Sequence, residues 1–318
     1  MFEDALCELC GRAPDERLLT TRDLAWGQPG QFNLMRCRGC GLIITTPRPV
    51  PAEIGRYYAP WYDGRPLESI ARERAESPLY RFIHWMRLRV LERSGPLTAG
   101  MNVLDVGGGL GDQMACFIAR RGVRGTTLDF DPATAAASLV RGRAAVCCGD
   151  LLEADLPAEA FDVVTLYETL EHVYRPRATL VAARRVLKPG GRLVIEVPDF
   201  DSPWRRVFGR YWFAMMTPTH LHHFTKPSLR RVAESAGFAA VRHVATFCPL
   251  ESAMSLLIAY RTATRTREAD LTAGWNAWPH VPALLAIGAW AVCGDVPIQA
   301  AMWLVGRTGI QTLIARKK

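Results

Sequence analysis

Thiols, imidazoles and carboxylates gather at three places in this 318-residue chain. The first is a pair of Cys-x-x-Cys steps, Cys7/Cys10 and Cys37/Cys40, each followed at once by a glycine, Gly11 and Gly41. Two thiolates from one tight turn, with a glycine that lets backbone amides swing toward sulfur, form a zinc knuckle. Two knuckles close a tetrahedral Zn2+ site with no open position, which makes it structural. The 26 residues between the pairs can form a hairpin without disturbing either knuckle. The second place is the acidic turn Glu168-Thr-Leu-Glu171-His172, and the third is His220-Leu-His222-His223, three of the chain's seven histidines within four positions. Histidine changes charge near neutral pH, so either cluster could move a proton. For the third cluster a metal site, a substrate-facing base and a His-rich turn capped by Thr225 all stay open.

The elements that must position these groups follow a β-α alternation from Met101 onward. MNVLDVGGGLGDQ reads as an apolar strand, a glycine turn (Gly107, Gly109, Gly111) and a helix start. Glycine lets backbone approach a ligand closely, and the helix presents its positive N-terminus. A second strand ends at Asp129-Phe130, where an acid can accept hydrogen bonds from both hydroxyls of a ribose. A third ends at Gly149-Asp150-Leu151, a fourth runs FDVVTLY into the acidic turn, and a fifth follows Lys188-Pro-Gly-Gly. This pattern predicts an α/β, doubly wound, Rossmann-like sheet with its ligand at the carboxyl ends of the strands. VRHVATFCPL and TGIQTLIARKK are read as the sixth and seventh strands.

In this order the motifs resemble the class I S-adenosylmethionine-dependent methyltransferases over residues ~100–248. The resemblance implies S-adenosyl-L-methionine as cofactor, with Asp105, Gly107, Gly109 and Gly111 on its methionine and ribose side. Asp129 and Phe130 would take the ribose, and Asp150 and Leu151 the adenine. Gly108, where the family often has a larger residue, only adds room. A nicotinamide dehydrogenase would leave Gly149-Asp150 and Leu170-Glu171-His172 unexplained. Together with the cysteine module, the wording is similar to zinc-ribbon methyltransferases of natural-product and polysaccharide pathways, including sugar C-methyltransferases. Glu171 and His172 follow the fourth strand and so would lie beside the methyl donor, as catalytic candidates or as a generic turn of the family. The likeness adds His222 and His223 as catalytic candidates and assigns His220 to the turn, and Tyr57 and Tyr58 are expected to close the pocket from the ribbon side. Glu168, Glu171 and His172 also look like the Glu-x-x-Glu-His of quinone-pathway O-methyltransferases, so a further divalent metal is an option, though not the favoured one.

The implied layout is a zinc ribbon over 1–60, a helical linker over 61–98, the cofactor-binding core over 99–249, an apolar helical insertion over 250–307 and a last core strand over 308–318. The aromatic stretch around Tyr57 is read as a turn. In the insertion, Gly294-Asp295 and Pro297 are expected to split two segments, each too short to cross a membrane. Residues 275–306 could form a buried helix pair, a dimer face or a shallow membrane contact. The net charge of +8 is dispersed over arginines rather than concentrated on the ribbon, which disfavours nucleic acid as partner. The acidic N-terminus carries no secretory pattern, so a cytoplasmic location, peripheral to a membrane if the insertion binds one, and reduced thiols are expected. The leading expectation is methyl transfer to oxygen or carbon of a small-molecule acceptor. The competing ones are an RNA methyltransferase and a non-catalytic cofactor-binding adaptor.

Overall fold

Pro51 begins a helix rather than interrupting the chain, since its fixed φ and missing N–H suit a first helical turn. This α1 (Pro51–Tyr58) takes in Tyr57 and Tyr58, the start of the expected aromatic turn, whose next residues, 59–63, lie outside the described residues. The computed structural model describes residues 1–58, 64–266 and 278–318. Ahead of α1 lie β1 (Phe2–Glu3), β2 (Glu16–Thr21), β3 (Phe32–Arg36), β4 (Ile43–Thr46) and β5 (Arg48–Pro49). β2, β3 and β4 pair antiparallel, and β1 closes on β5. After α1, α2 (Leu67–Glu76) and α3 (Pro78–Glu92) form the linker. They break at Ser77, whose extended ψ of 123° is what a residue before proline prefers.

The main sheet is built from β6 (Asn102–Val106), α4 (Asp112–Arg121), β7 (Arg124–Asp129), α5 (Pro132–Ala136), β8 (Ala145–Cys148), β9 (Phe161–Tyr167), α6 (Pro176–Val186) and β10 (Leu187–Pro198). Next come α7 (Pro203–Phe208), β11 (His222–His223), α8 (Lys226–Ser235), β12 (Phe238–Thr246), α9 (Glu251–Thr264), α10 (Val281–Leu304) and β13 (Ile310–Lys317). Seven strands lie in the order β12-β13-β10-β9-β6-β7-β8. The run from β10 to β8 is parallel, while β13 inserts antiparallel between β10 and β12. This is a Rossmann-like doubly wound sheet, with the order reversing between β6 and β9, where such sheets open their ligand crevice.

The ribbon shares its structure with the core. β11 adds to the ribbon sheet by pairing with β4, His222 opposite Ile44 and His223 opposite Ile43. Cys7, Cys37, Cys40, Leu42 and Ile44 belong to the same buried apolar cluster as Leu166, Ile195, Phe224 and Leu229 of the core. Glu8, inside the first knuckle, accepts from the amides of Arg177 (2.7 Å) and Ala178 (3.0 Å), capping α6 where an acid is electrostatically favoured. Arg231 of α8 donates to the Cys40 carbonyl at 2.6 Å.

The expected split of the C-terminal insertion is overturned. Val281–Leu304 is one 24-residue helix, long and apolar enough to cross a membrane by length and composition. Pro297 lacks the N–H that would bond back toward Cys293. The chain absorbs this by winding Ala291–Asp295 as a π turn just before it, instead of breaking.

Candidate active site

The four knuckle cysteines bring one sulfur each within 4.8 Å of the others, with Cys7 and Cys40 at 3.4 Å. Zinc–sulfur bonds of about 2.3 Å place the corners of a tetrahedron about 3.8 Å apart, so the donor set fits Zn2+. Gly11 and Gly41 take positive φ (67° and 77°) and donate to the Cys7 and Cys37 carbonyls, both at 2.7 Å, which forms the two tight turns. Burial leads the rise of the Cys10 and Cys40 thiols to about 11, so holding the four as thiolates calls for a cation among them.

Across the parallel edge, the glycine turn follows β6. Gly107 has φ 67°, and a Cβ there would run into the side chain of Thr169, which itself donates to the Val106 carbonyl at 3.1 Å. The acidic turn carrying His172 is therefore seated directly on the glycine turn. Gly109 donates to Asp129 at 2.9 Å and the Asp131 amide to the other oxygen at 3.1 Å, fixing that carboxyl at the tip of β7. Phe130 beside it is 57% exposed. Asp150 is exposed and accepts from the Leu152 amide at 2.9 Å, whereas Leu151 next to it is buried in the core. Asp105 departs from expectation. Its carboxyl is buried in the sheet, accepts from Thr165 at 2.6 Å and is pushed up to about 6 by burial, so it braces β6 against β9.

The two histidine-bearing segments meet. Leu221 and His222 amides donate to the Glu171 carbonyl at 2.8 and 3.1 Å, and the His172 and His220 rings lie edge to face at 4.6 Å. His172 Nδ1 lies 3.0 Å from the Thr219 carbonyl, and His220 Nδ1 lies 3.0 Å from that of Ala214. A carbonyl only accepts, so each Nδ1 carries the hydrogen and each Nε2 keeps its lone pair. Burial lowers His172 to about 4, so the ring is neutral at pH 7. Tyr58, the last residue of α1, places its hydroxyl 2.9 Å from His172 Nδ1 and its ring 5.7 Å from Phe130. Both carboxylate oxygens of Glu171 are buried without a partner, and burial, with Glu168 nearby, raises its pKa well above the usual range. Glu171, His172 and His220 offer one carboxylate and two imidazole donors within 4.8 Å, a set that would also accept a divalent cation.

His222 and His223 occupy a different position from the one expected of substrate-facing bases. They are neighbours on a strand, so their side chains leave on opposite faces. His223 Nε2 lies 3.1 Å from Thr45 of the ribbon and its ring packs on Phe200, while His222 stacks on Phe224. Both are buried and lowered to about 3, chiefly by that burial. His220, assigned from sequence to the turn, is the one that reaches His172. Spacing alone carried no signal for this choice, because which of three adjacent histidines faces the acidic turn depends on the pairing of β11 with β4.

Residues 79–243, just over half of the chain, match the family described as Methyltransferase domain, and the chain belongs to that family. It is 30% identical over 160 residues to a probable S-adenosylmethionine-dependent methyltransferase of Mycolicibacterium smegmatis, covering 49% of this chain and 59% of that protein. It is 34% identical over 148 residues to a ubiquinone biosynthesis O-methyltransferase of Sodalis glossinidius, covering 43% and 57%. The chain thus spans less than two thirds of either relative. Among solved structures, a phosphoethanolamine N-methyltransferase of Haemonchus contortus in complex with S-adenosyl-L-methionine shares the fold at TM-score 0.50 and 15% identity, over 94% of this chain and 71% of that one.

Proposed function

We infer that the protein transfers a methyl group from S-adenosyl-L-methionine to oxygen or carbon of a small-molecule acceptor, a sugar, polyketide-like or lipid-linked intermediate. The observation that carries this is Tyr58, whose ring touches Phe130 beside Asp129 and whose hydroxyl meets His172, so that one side chain joins the nucleotide edge to the proton-handling cluster. In this reading Gly107, Gly109, Gly111, Asp129, Phe130 and Asp150 hold the cofactor, whose sulfonium supplies the methyl group, and Leu151 backs the adenine side from the core. Tyr58 then orients the acceptor, and the lone pair on His172 Nε2 takes its proton as the methyl arrives. Methyl transfer from a sulfonium releases a neutral leaving group, so alignment and deprotonation are what remain for the protein to supply. The relatives named for ubiquinone biosynthesis support a small acceptor over RNA. The four cysteines hold structural Zn2+, and the ribbon carries Tyr58 to the cleft.

A second reading has its own support in the unpartnered carboxylate of Glu171: a divalent cation bound by Glu171, His172 and His220 would acidify an acceptor hydroxyl. The test is label transfer from methyl-labelled cofactor into a host lysate, partitioned into lipid, aqueous small-molecule and RNA fractions, with metal content measured on the same preparation. Label in the lipid or small-molecule fraction supports the proposal, and label in RNA rejects it. Cofactor binding without transfer to any fraction in a lysate that contains the acceptor pathway would favour an adaptor. A metal content of one zinc favours the proton-handling reading, and a second bound cation that activity requires favours the other.

A further inference from the structure

α10 is built inside out. Between Val281 and Leu304 the only charged residue is Asp295 and the only side-chain amide is Gln299. These two, one turn apart, are the only residues of the helix that are fully buried. Its apolar side chains face outward: Leu285 is 69% exposed, Val292 70% and Leu304 78%. A helix on a water-exposed surface shows the opposite arrangement.

The orientation is held by hydrogen bonds from Trp290 to Trp303, the C-terminal half of the helix. Trp290 donates to Ser252 at 2.8 Å, Asp295 accepts from the Ala253 amide at 3.0 Å, Gln299 donates to Glu251 at 3.1 Å, and Trp303 donates to the Ala245 carbonyl at 3.1 Å. Rolling the helix to bury its apolar side would strip partners from a buried carboxylate and an amide, which is far costlier than exposing aliphatic groups. The apolar face is therefore a fixed surface. Its bonded inner side also prevents lipid from surrounding the helix, so it is placed to lie along an interface.

Charge at the two ends says what covers it. Tyr260 of α9 meets His280 at 2.8 Å, so the end of α9, with exposed Arg265, borders the start of α10. Exposed Arg307 follows its finish. A second copy laid helix against helix, parallel or antiparallel, would bring arginine against arginine at both ends. An anionic headgroup layer meets both favourably while its acyl boundary takes the aliphatic face.

We propose that the outward face of α10 is a docking surface for an anionic phospholipid bilayer, on which the helix lies flat. The inference stands apart from the methyltransferase reading, and cofactor binding measured on the same samples keeps the two separate. The full-length protein is floated with phosphatidylcholine vesicles, with and without about one third phosphatidylglycerol. The expected result is binding that prefers the anionic vesicles. It should fall at least about tenfold in the double variant Leu285→Gln, Val292→Gln, and lose its anionic preference in Arg265→Gln, Arg307→Gln, with the melting temperature unchanged. Because these positions are exposed, the variants fold. Protein that stays with neither vesicle type overturns the proposal. So does a dimer in light scattering that Val292→Gln dissociates, since a second copy would then cover the face.

Discussion

At the scale of single residues, the site separates groups that act from groups that hold. In the proposed function Tyr58 and His172, in contact at 2.9 Å, handle the acceptor, so their loss should act on turnover. His172→Asn is expected to lower kcat by about 10²–10⁴-fold, and Tyr58→Phe by a smaller factor, with cofactor affinity nearly unchanged in both. Calorimetry alongside single-turnover transfer checks this, and an equal loss of cofactor binding would mean that the pair is structural. Asp129→Ala should do the reverse, weakening cofactor binding by about 10–100-fold, the worth of a charge-assisted hydrogen bond to a ribose. His223→Leu removes the Thr45 partner and is expected to lower the melting temperature before it touches the chemistry.

At the scale of elements, the ribbon and the methyltransferase sheet fold as partners. β11 belongs to the ribbon sheet, Glu8 caps α6, and three knuckle cysteines sit in the main apolar cluster. With the four cysteines holding Zn2+ as proposed, a chelator should therefore do more than loosen the first forty residues. It is expected to release one equivalent of zinc, lower the melting temperature of the whole chain in a single transition and abolish methyl transfer, because α1 and Tyr58 follow directly on the ribbon. A calorimetric trace with the core transition unmoved would show the ribbon to be independent. The glycine turn allows a second check. Gly107→Ala places a methyl group against Thr169 at a φ of 67°, and should cost both stability and cofactor affinity, while Gly108→Ala has no positive φ and meets Thr127 and the Asp105 carbonyl only at 3.1 and 3.2 Å, and should cost less.

Across the whole molecule, buried titratable groups set the response to pH. His172 is lowered to about 4, and His222 and His223 to about 3, all led by burial. Below a pH of about 6.5 the unfolded chain binds protons that these folded rings refuse, so each subtracts about 1.4 kcal/mol per pH unit as pH falls toward its folded value. Buried carboxyls act in the opposite sense. Glu168 is raised to about 8 and Glu251 to about 7, again led by burial, so the folded state holds their protons and loses stability as pH rises from the ordinary carboxylate range to those values. The melting temperature should pass through a maximum at mildly acidic pH and decline toward pH 8. Glu168→Gln should flatten the alkaline limb, and a midpoint rising steadily to pH 8 would contradict the assignment.

Local chemistry made much of this protein legible in sequence. The Cys-x-x-Cys-Gly steps, the glycine turn after an apolar strand and the acids at strand ends are short-range patterns whose geometry the backbone imposes within a few residues, and the doubly wound sheet followed from the alternation of strands and helices. Three features required the tertiary structure. The histidines of this segment could be sorted only by the partner strand, which sent His223 to Thr45 of the ribbon and His222 onto Phe224, and left His220 beside His172. Asp105 carries the family spacing, but its burial against Thr165 comes from strand register. The long apolar helix was hidden by Gly294, Asp295 and Pro297, each a helix breaker by propensity. Here a π turn accommodates the proline and α9 gives the aspartate its bond, so contacts distant in sequence outweighed the local preference.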